Sequence, residues 1–319
     1  MTIYQWVDIS ANYSDTLLIG NGASIAVNPR FTYQSLIQHA QDNGLLTDDV
    51  RQLFSFFNTS DFELVLRLVW QASKVNRSLK IPDNRTHAAY VRVRDCLIQS
   101  VRDIHPEYDE VSEQLPDIYN FLMPFKTVLS LNYDLILYWV MMYGNNEIHD
   151  RHKFKDCFIN QVFDDNWQRF RDLYHERFNT LVFYPHGNLI LCRDVVEFEF
   201  KINNGNDNTL LNSILHRWET EEVVPLFVSE GTWKQKITSI QNSYYLSTVY
   251  REVLTAHTPS LAIYGWGFGE QDSHILNRMS NSNIRRVAVS VYENDQAYCN
   301  RVSQIIHDSL GAFVQVDFF

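Results

Sequence analysis

Four places in the chain put glycine or polar residues directly after a short apolar run. Gly20-Asn21-Gly22-Ala23-Ser24 follows Thr16 to Ile19, and Asn132-Tyr133-Asp134 follows a run ending at Leu131. His186-Gly187 comes after Thr180 to Tyr184, and Gly265-Trp266-Gly267 after Ser260 to Tyr264. A G-x-G turn between a strand and a helix offers bare backbone N–H groups to the oxygens of a pyrophosphate. Glycine suits that role because any Cβ would hold the phosphate away. The dinucleotide fingerprint is incomplete, since Ile25 stands where its third glycine would fall. Each signature also has a plain structural reading: an ordinary strand–turn–helix for the glycines, a helix cap for Asn132 and Asp134, a hydrogen-bonded structural residue for His186, and core packing for the Trp266–Phe268 loop. Ligands of open α/β sheets bind outside the carboxyl ends of the strands, so residues far apart in sequence can meet there.

The elements that must position these residues are legible in outline. Strands are expected at Thr16–Ile19, Lys126–Leu131, Thr180–Tyr184, Val224–Val228, Ser260–Tyr264, Arg286–Val291 and Phe313–Phe318. Leu189–Cys192 and Val196–Ile202 read as a short hairpin, and Asn203–Asn208 as a loop. From Tyr33 to about Phe125 the pattern is helical, with caps expected at Thr47 and at Ser60-Asp61. This stretch, 33–125, is expected to be a helical subdomain inserted into a core formed by 15–31 and 126–319. Beyond residue 126 strands alternate with helices, including one long helix from about Lys234 to Ala256 and another opened by Asp272. Gly144–Phe178 carries few sheet signals. The expected fold class is α/β, a Rossmann-like parallel sheet with helices on both faces.

Composition narrows the function. With 319 residues, 45% hydrophobic and 14% aromatic, the chain can bury a large core and is not disordered. A net charge of −11 argues against a general nucleic-acid surface. The first residues show no basic stretch followed by an apolar one, and no apolar run has the ~18–20 residues that a membrane span needs. A soluble, cytoplasmic protein is expected. Cys96, Cys157, Cys192 and Cys299 are widely spaced, which predicts neither a zinc ribbon nor a disulfide framework but buried, reduced thiols.

Taken together, the four strand-end signatures resemble those of the sirtuins, and more closely the sirtuin-like NAD-consuming domains of bacterial anti-phage defence systems. The family's G-A-G-x-S is similar to Gly20-Asn21-Gly22-Ala23-Ser24, and its T-Q-N-x-D to Ser130-Leu131-Asn132-Tyr133-Asp134. Its H-G is similar to His186-Gly187, and its later glycine loop to Gly265-Trp266-Gly267 within GWGFGEQDSHI. The resemblance covers 15–31 and about 126–319; the helical stretch matches nothing specific. The four-cysteine zinc ribbon of the deacylating sirtuins has no counterpart, so neither zinc nor an acyl-lysine substrate is implied.

What the resemblance implies is an NAD⁺ hydrolase that releases nicotinamide and ADP-ribose, acting in anti-phage defence by depleting NAD⁺. NAD⁺ would be the substrate. Asn132 and His186 would be catalytic, Asn132 orienting water or ribose hydroxyls and His186 acting as base, with an unperturbed pKa near ~6.5. Gly20, Asn21, Gly22, Ala23 and Ser24 would hold the phosphates, with Gly265, Trp266 and Gly267 beside them. Asp134 would hold the nicotinamide carboxamide, and Glu293 or Asn294 the adenosine ribose. An enzyme that destroys a central cofactor needs restraint, so a homo-oligomer or a separate sensor subunit is expected, contacting 33–125 or 150–178. Two alternatives remain open: a non-catalytic NAD or ADP-ribose binding module, and an NAD-dependent ADP-ribosyl transferase or deacylase. A dehydrogenase is disfavoured, because no strand-end acid follows the glycine turn by ~20 residues.

Overall fold

The computed structural model describes residues 1–32, 35–148, 152–171, 179–203, 209–228 and 230–319. Residues 33 and 34 of the expected helical stretch, 204–208 of the expected loop, and 149–151 and 172–178 of the segment after Gly144 lie outside them. In chain order the strands among the described residues are β1 (Thr16–Ile19), β2 (Thr127–Ser130), β3 (Lys153–Lys155), β4 (Phe158–Ile159), β5 (Val162–Phe163) and β6 (Asn179–Phe183). They continue as β7 (Gly187–Arg193), β8 (Glu199–Lys201), β9 (Val224–Phe227), β10 (Ser260–Tyr264), β11 (Arg286–Val289) and β12 (Gln315–Phe318).

Seven of these build one sheet in the order β12-β11-β10-β1-β2-β6-β3, every neighbouring pair parallel. The fold is α/β and Rossmann-like. Its central strands read as unbroken apolar runs because parallel sheets are covered on both faces, and every residue of β1 and β2 is buried. The chain winds outward from β1 through β2 and β6, then returns to the other side of β1 to lay down β10, β11 and β12. Right-handed crossovers in opposite directions put the helices of the two halves on opposite faces. They also make the β1/β10 junction the point where strand order reverses, and there a crevice opens at the carboxyl ends.

Between the adjacent strands β1 and β2 stand helices Asn21–Val27, Leu36–Asp42, Asp48–Phe57, Phe62–Ser78, Asn84–Ile104 and Leu115–Leu122. Asp61 caps the helix at Phe62 by accepting from Glu63 N and Leu64 N, and Asp83 does the same for the helix at Asn84. Thr47 precedes the helix at Asp48 but makes no capping bond to its backbone. All four cysteines are buried and unbridged. No helix among the described residues is long and apolar enough to cross a membrane.

Three details depart from the sequence expectation. β9 does not join the parallel sheet; it pairs antiparallel with β7, whose other edge carries β8. The helix expected over 234–256 is two helices, Trp233–Gln241 and Tyr244–Thr248, the second running on into a π-helical turn, Val249–Val253. Ser243 makes the break by accepting from Leu246 N as an N-cap. Finally, β3 lies in the stretch after Gly144 and forms the outer edge of the main sheet.

Candidate functional site

Gly20, which follows β1, and Gly265, which follows β10, bring two loops into backbone contact. Gly20 N donates to Tyr264 O at 2.9 Å and Gly22 N to Gly265 O at 2.7 Å. A Cβ on Gly20 would lie 2.7 Å from Gly265 O, and one on Gly22 2.8 Å from Gly265 Cα. The first reason for these glycines is therefore loop-to-loop packing, not the approach of a phosphate. Gly267 differs: a Cβ there would meet nothing within 4 Å.

Beyond this junction lies a cleft of about 480 Å³, walled by Gly20, Asn21, Gly22, Asn132, Asp134, His186, Gly265, Trp266 and Gly267. That volume lies within the roughly 300–1,000 Å³ usual for small-molecule sites. Of the residues singled out in the sequence, Ala23 and Ser24 sit behind this wall, in an apolar cavity of about 450 Å³ that shares Asn132 and Asp134 with the cleft. Glu293 does not line the cleft; it is exposed, at φ 52°, in the turn after β11.

Ser24 is committed to the protein. Its Oγ donates to Asp134 Oδ2 at 2.6 Å and accepts from Asn132 Nδ2 at 2.7 Å, while the same Nδ2 reaches Gly20 O at 3.1 Å. With that amide nitrogen engaged, Asn132 offers the cleft its Oδ1 acceptor. Asp134 also accepts from Ile136 N at 2.9 Å through Oδ1, at the entry to the following helix, Ile136–Asn146. Burial pushes its carboxyl pKa up despite these bonds.

His186 follows β6 in a tight turn closed by Gly187 N donating to Tyr184 O at 2.9 Å. Gly187, at φ 77°, passes so close to β9 that a Cβ would meet Leu226 O at 2.3 Å. The His186 ring is buried and stacks on His274, with Nε2 3.1 Å from His274 Nε2. Burial, then the nearby Lys236 charge, hold His186 well below the usual histidine range. Burial likewise pushes His274 down to about 4. Asp272 Oδ1 lies 3.9 Å from His186 Nε2 and accepts from Lys236 Nζ at 2.7 Å. Burial works to raise the Asp272 pKa, but its interactions with His186 and with Lys236 outweigh it and hold the carboxyl below its ordinary value.

Asp272, His274, Lys236 and Glu230 are polar groups of this region that strand-end reasoning missed. Asp272 and His274 were within sight in GWGFGEQDSHI, where they frame the start of helix Ser273–Met279. Lys236 and Glu230 carry no sequence signal of this kind. Glu230 Oε1 accepts from Ile37 N at 3.2 Å, and burial pushes its pKa up to about 7.

No curated protein matches the sequence. One family model, described as a domain of unknown function (DUF4917), matches residues 17–319, which takes in every strand described above except the first residue of β1. The chain belongs to that family, DUF4917.

Proposed function

We propose that this chain hydrolyses NAD⁺ to nicotinamide and ADP-ribose. One observation carries the reading: Gly20–Gly22, Asn132, His186 and Gly265–Gly267, scattered over the sequence, wall one cleft at the point where strand order reverses. The reaction suits such a wall. The N-glycosidic electron pair leaves with nicotinamide, neutralising its pyridinium charge, while a water oxygen bonds to the ribose carbon and its proton passes to a base. The transition state is oxocarbenium-like, so orientation of ribose and water matters more than a strong acid. Asn132 Oδ1 serves as acceptor for the water or a ribose hydroxyl. His186, kept neutral by burial, is in its basic form at neutral pH.

Depletion of NAD⁺ as an anti-phage response, restrained by self-assembly or a sensor subunit, belongs to the same reading. Its support in the structure is limited to exposed apolar side chains, Phe56, Val75, Leu79 and Ile81, on or beside the helices between β1 and β2. A second reading, a module that binds NAD or ADP-ribose without turnover, is favoured by the engagement of His186 Nε2 with His274.

The test is release of free nicotinamide from NAD⁺ by the purified chain, alone and as the assembled oligomer or complex. We expect Asn132→Ala and His186→Ala each to lower release by about 10²-fold or more while the folded circular-dichroism spectrum is retained. A folded double variant with undiminished release would overturn the assignment. Calorimetric NAD⁺ binding without any nicotinamide from the active assembly would favour the second reading.

A further inference from the structure

The two imidazoles that meet at the edge of the cleft pose a chemical problem. The Leu131 backbone carbonyl hydrogen-bonds the His186 ring, and since Nε2 faces His274, the bonded nitrogen is Nδ1. That favours a proton on Nδ1, which turns the Nε2 lone pair toward His274. The Gln271 backbone acts on the His274 ring in the same way, although its buried Nδ1 has no well-aligned hydrogen-bond partner. The second lone pair is free to face the first. Two imidazole lone pairs 3.1 Å apart attract a cation between them.

We propose that His186 Nε2, His274 Nε2 and Asp272 form a binding site for one divalent transition-metal ion of the zinc class. The three donor atoms all lie within 4.8 Å of one another. In a tetrahedral site with Zn–N near 2.0–2.1 Å, two nitrogens stand about 3.3 Å apart, close to the 3.1 Å found here. Asp272 at 3.9 Å from His186 Nε2 needs to close by about half an ångström to meet the same geometry. A backbone carbonyl behind a ligating histidine is the usual outer-shell support for such a ligand. Three protein donors leave a fourth position, and His186 lines the cleft. The site owes nothing to the cysteines.

Lys236 is the built-in competitor. Its ammonium group already holds Asp272 Oδ1 at 2.7 Å from a buried position, so a metal ion must share that carboxylate with it or displace it. The proposal touches the NAD⁺ reading through His186 alone. Metal on Nε2 removes the lone pair that a base needs, so binding would switch nicotinamide release off.

The experiment is zinc titration of untagged, metal-stripped protein by calorimetry, with metal content after dialysis and the visible spectrum of the Co(II) form as second readouts. We expect one ion per chain and a tetrahedral Co(II) spectrum. His274→Gln should weaken binding by about 100-fold, and Lys236→Met, by removing a like charge, should tighten it by at least about tenfold. Absence of saturable binding in both the wild type and Lys236→Met would overturn the site, as would affinity unchanged by His274→Gln in a folded variant. The two readings fail separately. Zinc binding without nicotinamide release under any condition counts against the NAD⁺ reading only, and release with no zinc binding counts against the metal site only.

Discussion

Replacing Gly265 by alanine tests whether the loop junction is first of all a packing device. Two costs can be worked from the structure. Gly265 has φ 67°, and a non-glycine residue in the left-handed region costs about 1–2 kcal/mol. A Cβ there would also lie 2.2 Å from Ala23 N and 2.6 Å from Gly22 C. Those atoms are backbone, anchored by Gly22 N donating to Gly265 O, so the strain of overpacking, about 1–3 kcal/mol, cannot be relieved by a rotamer change. The expected loss is about 3–4 kcal/mol. Gly22→Ala meets a milder contact, 2.8 Å to Gly265 Cα, and gains up to about 1 kcal/mol of helix propensity, so about 1–2 kcal/mol is expected. Gly267→Ala meets no protein atom and should stay within about 0.5 kcal/mol of wild type. Denaturant unfolding followed by circular dichroism, compared at equal m-value, measures all three. Equal stability of Gly265→Ala and Gly267→Ala would refute the packing argument. Because the Gly267 methyl would occupy open space at the cleft wall, nucleotide affinity and stability are expected to separate in that variant.

Two further outcomes follow from the buried polar groups. Ser24→Ala removes the acceptor for Asn132 Nδ2 and the donor to Asp134 Oδ2, so a loss of about 1–3 kcal/mol is expected; a loss below about 0.5 kcal/mol in the same unfolding assay would remove this network from the account. Glu230 has a folded-state pKa of about 7, above its ordinary value of 4.5. Its contribution to stability is therefore complete below pH 4.5 and is lost as the pH rises through about 7. A rise of that size corresponds to about 3 kcal/mol. Glu230→Gln keeps an acceptor for Ile37 N without titrating, so relative to wild type it should gain up to about 3 kcal/mol between pH 5 and 8. A stability difference that stays flat with pH would contradict this.

How much of this was legible depended on what each residue had to report. TLLI, TVLS and SLAIY announced themselves as strands because a parallel sheet buries both faces of a strand, and burial leaves a continuous apolar run. Lys153-Phe154-Lys155 forms the sheet edge, where only Phe154 is buried, and one apolar residue is no pattern. The run at β9 reads as a strand, and the alternation of strands and helices places it in the parallel sheet, where it does not lie. Pro225 held the missing information: lacking an N–H, proline is confined to edges, and among the described residues β9 pairs only with β7. Asn132 and His186 were visible through their position after strands. The contact between His186 and His274 was not, because it joins two turns 88 residues apart that only the closed sheet brings together.

Helix Trp233–Gln241 connects these separate observations. On one side Gln235 Nε2 donates to Asn58 O at 2.8 Å, and Ser239 Oγ to Asp61 Oδ2 at 3.2 Å. Asp61 is itself the cap of helix Phe62–Ser78, so this side is bolted to the helices between β1 and β2. From the face that Ser239 occupies, Lys236 Nζ holds Asp272 beside the imidazole pair. Lys236 and Ser239 are three residues apart and so share a face of the helix. Just ahead of the helix, Glu230 accepts from the first turn of helix Leu36–Asp42. The helical segment that contributes nothing to the sheet therefore sets the position of the ammonium group against Asp272. Buried charges at such short range leave little room for adjustment, since a displaced partner leaves an uncompensated charge in a medium of low dielectric. A shift of that segment by even an ångström must be answered at Asp272, and from there at the His186 ring.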